Sequence, residues 1–338
     1  MDKTAPIIPR YRDTEHALAW RRELAMAVSR PAELLALLDL PDEPGAEAAA
    51  QLFGLRVPRG FVARMRRGDR RDPLLLQVLP VGAECRPAEG FVTDPVGETA
   101  AMVAPGLLHK YRGRVLLTLT GACGVHCRYC FRRHYPYGDA NPTGSHWAQA
   151  RAYIAADPTI HEVILSGGDP LSLSDQRLAA LTAELAGIPH LQRLRVHSRL
   201  PVVLPERVTP ELLAWLSGSR LRPVLVVHAN HAREIDATVG DALRRITAAG
   251  IPVLNQSVLL KDVNDSPERL CELSERLFEV GVLPYYLHQL DPVQGAAHFE
   301  VTDSRAVSLM AELRTRLPGY LVPRLVREEV GAPGKSAL

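Results

Sequence analysis

A chain of 338 residues with 46% apolar composition can bury one large core or two smaller ones, which excludes a disordered chain. Lys and Arg number 40 against 38 Asp and Glu, so the net charge of +2 gives no reason to expect nucleic acid or an anionic membrane as partner. No run approaches the roughly 20 uninterrupted apolar residues of a membrane span, and the start MDKTAPIIPRYRD lacks a basic region followed by an apolar one, so a soluble cytoplasmic protein is expected.

Residues 1–80 read as an N-terminal helical region. AWRRELAMAV and AELLALL repeat apolar residues at a helical spacing, with Pro31, Pro41 and Pro44 as breaks. Residues 81–108, rich in Pro and Gly, read as irregular connection. A different rhythm fills residues 109–338. Short β-branched or leucine-rich runs, VLLTLT (115–120), EVILSG (162–167), RLRVHS (193–198), PVLVVHA (223–229), PVLNQSVLL (252–260) and LPYYLHQL (283–290), alternate with amphipathic segments such as SDQRLAALTAELA. Such alternation is the pattern of βα units with parallel strands. The expected fold is α/β, a partial (β/α)6 barrel with an N-terminal helical cap. A flat doubly wound sheet competes, although no glycine-rich phosphate turn follows the first strand. In either architecture ligands gather at the carboxyl ends of the strands.

The first run leads directly into GACGVHCRYCFRRHYPY, which places Cys123, Cys127 and Cys130 at i, i+4 and i+7. Structural zinc sites close with four ligands, and ordinary [4Fe–4S] clusters take four cysteines. The remaining two cysteines, Cys85 and Cys271, are distant, so three thiolates would leave one iron open to a small molecule. His126 could serve as a fourth ligand, and a Cys3His zinc site stays open as an alternative, although a solvated or hydrogen-bonded histidine suits its place inside the loop better. The second run ends in VILSGGDPL, where Gly167 and Gly168 expose backbone to a close ligand and Asp169 turns the loop. By itself GGDP is also a common turn.

The Cx3Cx2C spacing with Tyr129 before the last cysteine resembles the radical SAM superfamily. The resemblance implies a [4Fe–4S] cluster whose open iron is chelated by S-adenosylmethionine (SAM), which reductive cleavage turns into a deoxyadenosyl radical. Under this resemblance Ser166, Gly167, Gly168 and Asp169 belong to the SAM site, with His228, Asn230 and Gln256 at the ends of later strands.

From about residue 55 to 335, LLHKY, CRYCFRRH, LSGGDPL, HSRLPVVLP, NQSVLL, VNDS, LPYYLHQLDPVQGAAHF and GYLVPRL resemble the lysine 2,3-aminomutase family. They are most similar to the branch that supplies (R)-β-lysine for modifying elongation factor P. The family implies pyridoxal phosphate (PLP), which needs a lysine able to form a Schiff base. The chain has only Lys3, Lys110, Lys261 and Lys335, and Lys335 in VGAPGKSAL matches the family's position. The same resemblance puts Lys110, Tyr111 and Arg114 at the PLP phosphate, Arg132 on the substrate carboxylate and Asp291 on its ε-ammonium. Where the catabolic aminomutases have a second aspartate and a tyrosine, this chain has Glu328 and His288, as the elongation-factor branch does. The implied partners are free L-lysine, an electron donor for the cluster, and a functional link to elongation factor P and its lysyl-ligase. An aminomutase acting on another amino acid, or making β-lysine for another pathway, is the alternative within enzymes, with Asp291 disfavouring glutamate. A non-catalytic metal-binding protein on the same fold is the alternative outside them.

Overall fold

The six apolar runs fold as six neighbouring parallel strands. The computed structural model describes residues 15–138 and 145–338, so Lys3 and the start of the N-terminal region lie outside the described residues. In chain order the strands are β1 (Met102–Ala104), β2 (Leu107–Tyr111), β3 (Arg114–Thr118), β4 (Glu162–Ser166), β5 (Arg193–Ser198), β6 (Arg222–Val227), β7 (Val253–Val258), β8 (Val282–His288), β9 (Arg324–Arg327) and β10 (Ser336–Ala337). They form one open sheet in which spatial order follows chain order. β3 to β9 are parallel. β1 and β2 at one edge, and β10 at the other, are antiparallel additions.

The six runs become β3 to β8, connected by helices such as Asp175–Ala186, Ala237–Ala248 and Pro267–Glu279. Side chains of Ser174, Thr209, Asp236, Ser266 and Thr302 cap five of the helix starts by accepting backbone N–H bonds. Each cap satisfies a donor that the helix itself leaves unpaired, contributing about 1 kcal/mol. No described helix is long and apolar enough to cross a membrane.

Strand periodicity decides what faces inward. Along β5 the residues alternate, with Leu194, Val196 and Ser198 buried and Arg193, Arg195 and His197 half-buried. Arg195 and His197 thereby line the concave side, as do Gln256 and Val258 of β7 and Tyr286 and His288 of β8. The register pairs Gln256 with Tyr286 and Val258 with His288, so these side chains stand in layers.

Two features differ from the expectation. Residues 81–108 do not form irregular connection throughout, because they contain β1 and the start of β2. Val92 also bridges Val293, tying this segment to the loop after β8. A seventh parallel strand, β9, follows the six runs. β1 and β9 are three and four residues long, too brief for period-two alternation to stand out.

The N-terminal helices Glu15–Ala25, Pro31–Leu37 and Ala46–Leu52 do not have a separate core. Trp20, Leu34, Phe61 and Leu75 belong to the same buried cluster as Val115, Val163, Val196 and Leu225 of the sheet. Polar contacts reinforce this union. Arg128, in the cysteine loop, pairs with Glu84 with no exposure of either side chain and also donates to the Phe53 carbonyl at 2.7 Å. Removing one member of a buried pair costs about 3–5 kcal/mol when the other is left stranded, and Arg133, which also meets Glu84 at 2.9 Å, keeps the loss here at the low end. Arg128→Met should therefore lower unfolding free energy by about 3 kcal/mol in urea titrations of the cluster-free protein; a loss under about 1 kcal/mol would show that the pair does not brace the loop.

Candidate active site

The loop after β3 brings Cys123, Cys127 and Cys130 to one cavity of about 660 Å³, and all three thiols are free. Its backbone is held from several sides. Cys130 N–H donates to the Cys127 carbonyl at 3.0 Å, Arg128 N–H to the Gln77 carbonyl at 2.9 Å, and His126 N–H to the Arg56 carbonyl at 2.9 Å. Burial pushes the Cys130 thiol up to about 11, with Cys127 adding to the effect, and burial likewise drives Cys123 well above its ordinary value. Buried sulfurs of this kind become thiolates readily only against a cationic centre, which suits an iron–sulfur cluster. His126 is turned away from them, its Nδ1 donating to the Gly54 carbonyl at 2.8 Å and its ring stacked on Phe53. Among the described residues no three His, Cys, Asp or Glu side chains converge on a single metal ion, so the Cys3His zinc arrangement does not form.

The glycine turn after β4 packs against this loop. Gly167 has φ +120°, and a Cβ there would sit 2.7 Å from the Thr120 carbonyl oxygen. At Gly168 a Cβ would collide with the Ala122 carbonyl. The two glycines are thus required by close backbone contact with the cysteine loop, and both also line the cavity. Asp169 organises the next loop. Its carboxylate accepts from Ser198 Oγ at 2.7 Å and from the backbone N–H groups of Leu171, Arg199 and Leu200. With four donors on its two oxygens, the Asp169 carboxylate is spent on fixing the loop. Burial raises its pKa, and those hydrogen bonds offset the rise.

Of the later residues grouped with SAM, His228 and Gln256 line the cavity, whereas Asn230 does not. Asn230 is fully buried, donating to Gln77 Oε1 at 2.9 Å and to the Tyr129 hydroxyl at 2.7 Å while its Oδ1 accepts from Val258 N–H. It lies past the end of β6, where the chain has already turned inward. Tyr129 in turn donates to His228 Nε2 at 2.7 Å. Burial drives the His228 pKa well down, so its ring is neutral.

The same cavity holds the residues of the other predicted group: Lys110, Tyr111, Arg114, Arg132, Asp291 and Lys335 all line it. Glu328 sits between two of them. It pairs with Lys335 and, at 3.1 Å, with Lys110. Burial alone would raise its pKa, but Lys335, Tyr111 and Lys110 together pull it down to about 2. Arg114 lies over the Tyr111 ring with its guanidinium carbon 4.6 Å from the ring centre. Asp291 faces the cavity without an ion pair of its own among the described residues, and burial lifts it to about 7. His197 Nε2 and His288 Nε2 are buried without hydrogen-bond partners on the cavity wall.

Arg132 has a partner that its sequence position did not reveal. Glu98 accepts from its Nε at 2.7 Å and its Nη2 at 2.6 Å, while Nη1 donates to Ser166 Oγ at 2.9 Å and the Gly167 carbonyl at 3.2 Å. One of five donors remains, so a carboxylate ligand can meet Arg132 through a single N–H unless Glu98 yields. Sequence reading also missed Arg199, Glu234 and Gln77 behind the cysteines. The only signal was Arg199 in HSRLPVVLP, directly after a strand.

Three thiols and a glycine turn at the carboxyl ends of parallel strands define a radical SAM enzyme, and residues 117–274 match the Radical SAM superfamily. The chain is 50% identical to L-lysine 2,3-aminomutase of Escherichia coli over 94% of each chain. It is 48% identical to the Haemophilus influenzae enzyme of that name, again over 94% of each. Against the Clostridium subterminale L-lysine 2,3-aminomutase the identity is 35%, covering 94% of this chain and 77% of that one. The chain therefore belongs to the L-lysine 2,3-aminomutase family, isomerases of the radical SAM class, and its three cysteines and glycine turn suit the [4Fe–4S] cluster and SAM that the class uses.

The two cavity acids have opposite pH signatures. Asp291, raised from 3.8 to about 7, binds a proton in the folded state that the unfolded state has lost, so its contribution falls as pH rises through that window. Glu328, lowered from 4.5 to about 2, contributes stability above pH 4.5 that disappears on acidification towards 2. In urea unfolding of the ligand-free protein, Asp291→Asn should gain on the wild type from pH 4 to 7 by at most about 1.4 kcal/mol per unit. Glu328→Gln should gain on it only below pH 4.5. Stability curves that stay parallel to the wild type would refute both assignments.

Proposed function

We propose that this protein is a SAM- and PLP-dependent L-lysine 2,3-aminomutase that forms (R)-β-lysine for the modification of elongation factor P. The observation that carries this reading is that Lys335 and the three cysteines line one cavity. A radical source and an amine carrier must reach the same substrate, and a shared enclosure is the physical condition for that. The high identity to the Escherichia coli and Haemophilus influenzae relatives supports the lysine reading. Glu328 and His288, in place of the aspartate and tyrosine of the catabolic enzymes, support the elongation-factor branch.

When bound, the reduced cluster with SAM would supply the hydrogen-abstracting radical, and PLP the carrier for the migrating amine. The chain's own residues do the rest. Lys110 and Arg114 would offer cations, and Tyr111 a hydroxyl, to hold the PLP phosphate. Lys335 would carry PLP, and Glu328, which pairs with both Lys335 and Lys110, would hold a carboxylate beside it. Glu328 and Asp291 then provide carboxylates for the distant ε-ammonium, and a site holding two acids disfavours glutamate as substrate. Arg132 meets the substrate carboxylate where Ser166 and Gly167 already fix its guanidinium. Neutral His197, His228 and His288 line the wall without adding charge, their pKa values depressed by burial. Cys123, Cys127 and Cys130 would hold the cluster, and Ser166 with the two glycines would hold SAM.

Lys335→Ala should abolish the visible absorbance of lysine-bound PLP while iron and sulfide stay at wild-type levels; an unchanged PLP spectrum rejects the assignment. Cys127→Ala should eliminate deoxyadenosine formation, and surviving SAM cleavage would reject the cluster ligand set. Anaerobic turnover with a panel of amino acids and chiral product analysis tests the function. L-Lysine giving (R)-β-lysine, transferable by the lysyl-ligase to elongation factor P, supports the proposal, whereas turnover of a different amino acid overturns it.

A further inference from the structure

Arg199 lies between the end of β5 and the short helix Leu200–Val203. Its guanidinium is buried directly behind the cysteine loop. Nη1 donates to Cys127 Sγ at 2.7 Å and to the Tyr129 hydroxyl at 2.7 Å. Nη2 donates to Gln77 Oε1 at 2.6 Å and Glu234 Oε2 at 3.0 Å. The Arg199 backbone N–H is fixed on Asp169 Oδ2 at 2.8 Å. Glu234 is itself fully buried and held by the N–H groups of Asn230 and His231 and by Gln77 Nε2. Arg199 is therefore clamped on one side by a carboxylate and an amide, and its other side delivers an N–H and a positive charge to one particular sulfur.

We propose that Arg199 is a positioning residue that holds Cys127 and raises the reduction potential of the cluster, with Glu234 and Gln77 setting its orientation. This rests on the assignment of the cluster to the three cysteines. Before SAM can be cleaved, one electron must pass from a low-potential one-electron donor to the cluster, which goes from the 2+ to the 1+ state with no bond made or broken. The added negative charge is shared by the sulfurs. A buried N–H and a cation at Cys127 stabilise the reduced form more than the oxidised one, and in a low-dielectric wall that difference is weakly screened. Glu234 acts with opposite sign: its carboxylate partly cancels the arginine charge, and its distance through the guanidinium makes the cancellation incomplete. Because Gln77 comes from the N-terminal segment, that segment reaches the electronics of the cluster through Arg199.

The test is a redox titration of the anaerobically reconstituted protein, followed by the paramagnetic signal of the reduced cluster, with iron and sulfide measured on each sample. Three variants separate tuning from folding. Arg199→Lys keeps the charge and loses the fork. The double variant Arg199→Met with Glu234→Gln removes both charges and leaves neither stranded. Glu234→Gln alone leaves the arginine uncompensated. The expected order of midpoint potential, from highest, is Glu234→Gln, wild type, Arg199→Lys, then the double variant, at equal cluster content. Midpoints indistinguishable from wild type in Arg199→Lys and the double variant, or a downward shift in Glu234→Gln, would overturn the proposal. A wild-type protein that shows no reducible cluster would overturn the cluster assignment instead.

Discussion

A guanidinium and a carboxylate with no solvent exposure hold the cysteine loop where the rest of the molecule needs it. Arg128 meets Glu84 through two N–H donors, and Arg133 adds a third to the same carboxylate at 2.9 Å. A buried ion pair is a poor source of net stability, because both ions lose their hydration. It is effective at specifying position, since every alternative arrangement leaves a charge unpaired. In this fold the specified position is that of a loop with three thiols, and the partner carboxylate, Glu84, sits in the short turn Gly82–Cys85 just after the N-terminal region. Gly167 and Gly168 then close on the loop with no room for a side chain, and Asp169 passes the constraint to the start of the following helix.

Across the cavity the governing interactions are electrostatic. Lys110 and Lys335 share Glu328, so two of the chain's few lysines are paired by one acid and the trio keeps one net positive charge. Arg132 has Glu98 in the same role. The cavity wall thus pairs its cations before any ligand arrives, which lowers the energy of keeping them half-buried and leaves Asp291 as an acid awaiting a positive partner. A doubly charged phosphate and a carboxylate would each exchange one of these internal contacts for an external one, and an ε-ammonium would supply the partner that Asp291 lacks. Binding that swaps ion pairs, instead of burying new charges, would let so polar a set of ligands fit inside a sheet of valines and leucines.

The parts of this architecture that depend on local pattern were legible in the sequence. Six apolar runs marked β3 to β8, and the i, i+4, i+7 cysteines marked the loop, because period and spacing are local properties. Lys335, Lys110 and Arg114 could be named from the family resemblance, and all three line the cavity. What escaped were partners far apart in the chain. Glu98 precedes Arg132 by 34 residues and Gln77 precedes Arg199 by 122, and no local signal connects either pair. Asn230 looked like a residue of the cavity mouth, yet its amide is taken up by Gln77 and Tyr129 behind it. β1 and β10 are three and two residues long, below the length at which alternation can be read.

A lysine aminomutase of this design requires one enclosure to hold both the iron–sulfur cluster and the PLP lysine. A crystal structure of the reconstituted protein with SAM and PLP, phased with iron anomalous scattering, tests that directly. The account predicts an iron peak bounded by the sulfurs of Cys123, Cys127 and Cys130, and continuous density from Lys335 Nζ to a phosphate between Lys110 and Arg114. Iron bound elsewhere, or PLP carried by Lys261 outside the cavity, would contradict it.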